Sequence, residues 1–247
     1  MDSNIIDQKN NFELDVSIIL PTFNEEGNIA RIIKCLCEQM EGIEKKFEIL
    51  VMDDNSEDGT VTEVRNAFLE DERINVVIRD PKNRGLAFAI REGIEKSKGE
   101  YVLMMDTDFN HDPEVTGKMV SISKYYDIVS GSRFTTGGGM DSHFRWWCSL
   151  IFNLWIRVLL SLPTQDNLAG FYCIKKEKLF ELNFDEIFRN YGDYFFRMLY
   201  LARNKEFTIL EIPVWYRNRS HGVSKTPFLK TLLLYTTESL KLKMKNI

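Results

Sequence analysis

Tyr101-Val-Leu-Met-Met105-Asp106-Thr107-Asp108-Phe109-Asn110 is an apolar run that stops on two carboxylates one residue apart. Read as a buried strand, it releases Asp106 and Asp108 together, because side chains two apart in an extended chain share a face. The pattern recurs upstream, where Val16-Ser-Ile-Ile-Leu20 runs into Pro21-Thr22-Phe23-Asn24-Glu25, and Leu50-Val-Met52 into Asp53-Asp54-Asn55-Ser56-Glu57-Asp58-Gly59-Thr60. Strands are expected over 16–20, 47–52, 74–79, 101–105 and 127–130, with helical periods beginning near Glu26, Val61, Gly85 and Pro113. This alternation of short apolar runs with helical stretches marks βαβ units, hence an α/β fold with a Rossmann-like, mainly parallel sheet flanked by helices. Ligands of such sheets bind beyond the carboxyl ends of the strands, so the polar residues after each run are the ones to question. Asp-x-Asp alone is ordinary turn chemistry, and Asp or Ser beside glycine is an ordinary cap. Four polar strand ends along one sheet edge, with Asn83-Arg84-Gly85-Leu86 as the fourth, point to a ligand.

The rest of the composition narrows the classes. With 247 residues, 44% of them hydrophobic, the chain can bury the core of one large α/β domain. A net charge of −5 gives no general attraction to nucleic acid, so none is expected as a partner. Cys35, Cys37, Cys148 and Cys173 lack metal-ligand spacing and fit reduced thiols on the cytoplasmic side of a membrane. Residues 1–15 form a polar extension without the apolar core of a secretory signal. The longest apolar stretch, 146–162, is interrupted by Asn153 and Arg157. An arginine near the centre of a span costs roughly 2.5–3.5 kcal/mol, so this stretch is expected as a helix that is buried or lies on a membrane surface. After a glycine turn at 137–139 a second, acceptor-side half of the domain is expected, running from 133 to 225, with one or two strands over 207–214. A final helix over 226–247, apolar on one side and basic towards its end, suits either a membrane surface or its own domain.

Paired aspartates at a strand end can hold Mg²⁺ or Mn²⁺, hard ions that take oxygen ligands and leave positions for substrate phosphates. The chain has no Gly-x-Gly-x-x-Gly after its first strand and no Gly-x-x-x-x-Gly-Lys-Ser/Thr, which removes the main support for dinucleotide oxidoreductases and P-loop enzymes. His111, His143 and His221 share no motif spacing, and His111 is expected to cap or orient the segment after the acids.

The order of Val16-to-Glu25, Val51-to-Thr60, Asn83-to-Leu86, Met105-to-Asp108 and Val129-to-Arg133 resembles the family 2 inverting glycosyltransferases of GT-A fold. It is most similar to the dolichol-phosphate mannose synthase group. Gly131-Ser132-Arg133-Phe134, Arg145-x-x-x-Ser149, Asp166-x-x-x-Gly170-Phe171, Glu211-Ile-Pro-Val, and Arg219-x-x-Gly222-x-Ser224-Lys225 carry the closer likeness, which covers nearly all of 16–225. The resemblance implies transfer of a hexose, mannose above all, from GDP-mannose or a UDP-hexose to a polyprenyl or dolichyl phosphate, at a membrane surface or beside a membrane-protein partner. It implies that Asp106, Asp108 and Asn110 hold the ion. Pro21, Thr22, Phe23 and Glu25, with Asp53, Asp54, Gly85 and Thr107, would cradle the nucleotide, and Arg219 and Lys225 would meet the donor phosphates. Arg133, Arg145 and Ser149 would hold the acceptor phosphate beside Asp108.

That assignment is chemically coherent. A phosphate monoester with a second pKa near 6 is largely a dianion at neutral pH, so it needs cations rather than a general base. Arg145 and Ser149, at i and i+4, would share one helical face. The likeness is imperfect at Asp166-Asn-Leu-Ala-Gly170, which lacks a hydroxyl residue before the glycine. It is imperfect again at Tyr191-Gly-Asp193-Tyr-Phe-Phe-Arg197, where relatives usually carry a glutamine and a glutamate. Asp193 could therefore serve as the base for a hydroxyl acceptor, a saccharide or lipid-linked saccharide. A non-catalytic nucleotide-sugar-binding subunit is the remaining alternative.

Overall fold

The structure is a computed structural model that describes residues 12–189, 191–217 and 228–245. Its first half comprises β1 (Leu14–Thr22), α1 (Ile29–Gly42), β2 (Phe47–Asp53), α2 (Thr60–Ala67), β3 (Ile74–Ile78), α3 (Leu86–Lys96), β4 (Gly99–Met104), α4 (Thr116–Ile122) and β5 (Ile128–Ser132). The second half is less regular. It contains β6 (Gly139–Met140), α5 (His143–Leu160), β7 (Tyr172–Lys175), α6 (Lys176–Phe180), α7 (Phe184–Ile187), α8 (Tyr194–Asn204), β8 (Ile209–Pro213), β9 (Trp215–Tyr216) and α9 (Phe228–Met244).

Among the described residues seven strands form one sheet in the order β3-β2-β1-β4-β7-β5-β8. β1 pairs in parallel with β2 and β4, β2 with β3, and β5 with β8, whereas β7 runs antiparallel to both β4 and β5. A separate parallel pair joins β6 to β9. Successive strands step outward from β1 to β3, and the chain then returns to lay β4 on the other side of β1. This is the switch point at which open α/β sheets bind ligands.

Local chemistry explains the regular half. Every residue of β2 is buried, as is the Val16-to-Leu20 segment of β1, which is why both read as unbroken apolar runs. α1 buries Ile29, Ile32, Ile33, Leu36, Cys37 and Met40, a stripe at helical spacing that covers one face of the sheet. In α3, a Cβ on Gly93 would stand 2.7 Å from Ile19 Cγ2, so only glycine lets this helix lie so close to β1.

α5 differs from the other long helices. Among its residues Asn153, Ile156 and Leu160 are fully buried. Phe144, Trp147, Ile151, Leu154, Trp155 and Val158, which share the opposite face, are exposed, with Phe144 and Val158 both at 79%. Among the described residues no helix is long and apolar enough to cross a membrane. α9 packs against α5 and α8 through Tyr235, whose ring meets those of Phe152 and Phe196. Its Leu233 and Met244 are exposed, as are Lys241, Lys243 and Lys245.

Candidate active site

The ends of β1, β2 and β4 converge, and their side chains are tied to one another. After β1, the Asn24 N–H donates to Ser56 Oγ at 2.8 Å and the Glu25 N–H to Thr60 Oγ1 at 2.9 Å, stitching the first strand end to the second. The Thr107 hydroxyl donates to the Pro21 carbonyl at 3.4 Å, joining the fourth strand end to the first. Asn24, Asn55 and Phe109 all have positive φ, at 53°, 59° and 60°. Asparagine tolerates that region, while for phenylalanine it is a strained conformation of the kind that concentrates at functional loops.

The acids after β2 have internal duties. Asp53, fully buried, accepts from the Ser56 N–H at 2.9 Å and the Ser56 hydroxyl at 2.6 Å. Asp54 is ion-paired with buried Arg79 and accepts the Gly85 N–H at 2.8 Å. Arg84 donates to the Asp54 and Asn55 carbonyls at 3.0 and 3.1 Å and lies 4.6 Å over the Phe23 ring. Together these bonds form a cradle whose rim is Phe23, Arg84 and Gly85.

After β4, the Asp106 side chain is 40% exposed while Asp108 and Asn110 are buried. The Asn110 N–H donates to Asp108 Oδ1 at 3.0 Å and its side-chain amide to Asp108 Oδ2 at 3.1 Å. Asn110 Oδ1 is buried without a hydrogen-bond partner. Among the described residues no group of three or more His, Cys, Asp or Glu could hold a metal ion. The donor set here is instead two carboxylates and one orphaned amide oxygen, which fits a hard divalent cation that completes its shell with phosphate oxygens or water. His111, expected to orient this segment, accepts the Asp106 N–H on Nδ1 at 2.9 Å.

Arg133, at the end of β5, has a different setting from the one implied by the resemblance. Its guanidinium is buried and grips both oxygens of Asp166 at 2.7 Å, with its own backbone N–H adding a third bond at 3.0 Å. It also lies 4.7 Å over the Tyr216 ring. Glu211 in turn accepts the backbone N–H groups of Gln165 and Asp166 at 2.7 and 2.8 Å. Arg133 therefore braces the loop that carries Asp166 from within. Arg145 is exposed near the start of α5 and Ser149 is half-buried one turn on. Asn153 donates to the Ser149 carbonyl at 2.9 Å and accepts the Asn167 N–H at 2.6 Å, tying the middle of α5 to the Asp166 loop.

Asp193 is fully buried and ion-paired with Arg197, which also donates to Glu238 of α9 at 2.8 Å. Arg219 and Lys225 lie outside the described residues. Reading single segments misses the Arg133–Asp166 pair, whose members stand 33 positions apart, and misses Tyr216, which follows an unremarkable β8.

A family model for glycosyl transferase family 2 matches residues 17–182. The chain belongs to that family. As a family 2 glycosyltransferase it is 29% identical over 218 residues to a dolichol-phosphate mannosyltransferase of Pyrococcus furiosus, covering 86% of this chain and 59% of that protein. It is 28% identical to the Saccharomyces cerevisiae dolichol-phosphate mannosyltransferase, covering 86% of this chain and 81% of the yeast protein. A polyprenol monophosphomannose synthase of Mycolicibacterium smegmatis is 29% identical over 84% of this chain and 79% of its own. The chain thus spans about three-fifths of the archaeal relative. In fold it is similar to glucosyl-3-phosphoglycerate synthase of Mycobacterium tuberculosis, solved with Mn²⁺, UDP and phosphoglyceric acid. The TM-score is 0.71 at 18% identity, over 94% of this chain and 79% of that one. The expected GT-A-like architecture is thereby established.

Proposed function

We propose that this glycosyltransferase moves a hexose, mannose in the leading case, from GDP-mannose or a UDP-hexose to the phosphate of a polyprenyl or dolichyl phosphate, with inversion at the anomeric carbon. The state of Asp193 carries the acceptor class. The acid that could activate a hydroxyl acceptor is sealed in an ion pair with Arg197, whereas a phosphate dianion needs no base. The exposed apolar face of α5 supports a lipid substrate, since it gives a peripheral protein a surface to rest on the cytoplasmic face of a membrane. The names of the three sequence relatives point the same way.

Asp106, Asp108 and the Asn110 oxygen would hold Mg²⁺ or Mn²⁺, which when bound stabilises charge on the departing nucleoside diphosphate. Pro21, Thr22, Phe23 and Glu25, with the Asp53–Asp54 cradle, Gly85 and Thr107, would bind the nucleotide. Arg219 and Lys225 would meet its phosphates. Arg145 and Ser149 would receive the acceptor phosphate, and Arg133 would fix the wall behind it through Asp166.

The test combines purified protein, Mn²⁺, a panel of radiolabelled nucleotide sugars and a short polyprenyl phosphate, followed by organic extraction. Label from one donor in the organic phase is the expected result. Transfer only to hydroxyl acceptors, abolished in Asp193→Asn, would overturn the phosphate reading.

A further inference from the structure

The loop that carries Asp106 and Asp108 is closed by a side chain that the proposed chemistry does not use. His111 is 1% exposed, and its two ring nitrogens have different hydrogen-bond partners, although Nε2 also stands 3.8 Å from Asp106 Oδ2. Nδ1 accepts the Asp106 N–H at 2.9 Å, which leaves the ring proton on Nε2. Nε2 lies 3.1 Å from the Ala169 carbonyl and 2.9 Å from the Tyr216 hydroxyl, and that hydroxyl donates to the same carbonyl at 3.0 Å. The imidazole stacks on Phe171 with centroids 4.7 Å apart and planes 9° from parallel. Tyr216 is itself covered by the Arg133 guanidinium. The six-residue loop from Asp106 to His111 is therefore closed at its base by one ring, which is fixed from outside by the segment before β7 and by β9. Inside the loop, Asn110 braces Asp108.

We propose that His111 and Tyr216 are positioning residues for the ion-binding acids. His111 sets the main chain at Asp106, so that its carboxylate and that of Asp108 meet one ion, and Tyr216 holds the ring at the angle this requires. The inference rests on the metal reading of Asp106 and Asp108. It extends that reading to two residues that touch neither ion nor sugar and that join the donor side of the sheet to β9. Groups that orient metal ligands from behind typically change affinity 10–100-fold when removed.

The two nitrogens can be tested separately. Asparagine places its side-chain oxygen near the position of Nδ1, whereas glutamine reaches the position of Nε2 and gives up the bond from the Asp106 N–H. Mn²⁺ binding to the full chain is measured by electron paramagnetic resonance in the presence of GDP or UDP, without turnover, for wild type, His111→Gln, His111→Asn, Tyr216→Phe and Asp108→Ala. Backbone hydrogen exchange over residues 104–112 is followed in metal-free protein.

The expected result is Mn²⁺ affinity at least about 10-fold weaker in His111→Gln and restored to within about 3-fold in His111→Asn, with Tyr216→Phe between them. Exchange over 104–112 rises in the same order while thermal unfolding remains cooperative. Folded His111→Gln with wild-type affinity, or equal losses in the Gln and Asn variants, would overturn the positioning role. Wild-type Mn²⁺ binding that survives in Asp108→Ala would instead remove the metal reading, and the inference with it.

Discussion

At the end of β4 the Asp106 side chain stays 40% exposed and Asn110 keeps a buried oxygen without a partner, whereas at the end of β5 Arg133 is closed on Asp166 with both carboxylate oxygens engaged. The first region belongs to a parallel βα frame whose short turns are held by backbone hydrogen bonds and by the Ser56 and Thr60 hydroxyls, which accept the Asn24 and Glu25 N–H groups. Of its acids, Asp106 keeps an exposed side chain at the switch point. The second is built from long, irregular connections between β5 and α9, whose backbone must be held by side chains. There the ionic groups pair with each other. A charged motif residue in the irregular half can thus be a brace, as Arg133 is for Asp166.

The largest expected effect is at Asp108. Asp108→Ala should lower transfer by roughly 10²–10³-fold, the scale of losing a principal electrostatic group, while leaving the unfolding midpoint near wild type. Initial rates set beside urea denaturation check both halves of that statement. Arg133→Ala should behave in the opposite way, losing about 3–5 kcal/mol of stability because a buried Asp166 is left unpaired. Combining Arg133→Met with Asp166→Leu should recover most of this stability, and a double variant no more stable than Arg133→Ala would break the comparison. Asp54 tests it from the other side, since it sits on the parallel frame yet is paired with Arg79.

Replacing Ile151 and Trp155 together by glutamate should reduce sedimentation with anionic vesicles by about 10-fold or more. Stability should move by only about 0.5 kcal/mol, because both residues are exposed. Unchanged vesicle binding would take the outer face of α5 out of the lipid argument.

The smallest effect concerns α9. Burial alone would raise the Glu238 pKa, but Lys241, Arg197 and Arg189 outweigh it and hold the carboxyl below its ordinary 4.5. A carboxylate depressed in the folded state contributes stability that is complete above the unfolded value and is lost as pH falls through the folded one. The stability gap between wild type and Glu238→Gln should therefore narrow as pH falls below the ordinary 4.5, followed by thermal unfolding. A gap that widens in acid would refute the assignment.

Much of the first half of the fold could be read from sequence because β1, β2 and β4 are buried strands whose apolar runs end where the sheet ends. The expected strand at 16–20 was nonetheless short, since β1 begins at Leu14 and includes Asp15, a polar residue tied to Lys45 and the Lys46 N–H. β6, β7 and β9 are two to four residues long and owe their pairing to distant partners, a signal that no local window carries. The position of Asp106 and Asp108 just beyond β4 could be read for the same reason as the strand. The partners of Arg133 and Arg197 could be read only in part. Asp193 and Arg197 have helical i, i+4 spacing, but Glu238 closes the cluster from 41 positions away. The 146–162 stretch, expected as a helix that is buried or lies on a membrane surface, is buried on one side of α5 and exposed on the other, because hydropathy along a sequence does not separate the faces of a helix.

Asn153, the polar interruption that argues against a membrane span, points inward and fixes α5 to the Asn167 backbone. A helix secured at mid-length by a single directional bond cannot turn about its axis without breaking it. The bearing of its apolar side relative to the sheet is thus a constant of the fold. If that side rests on a bilayer, the height of the strand ends above the headgroups is set in advance, like the working distance of a lens.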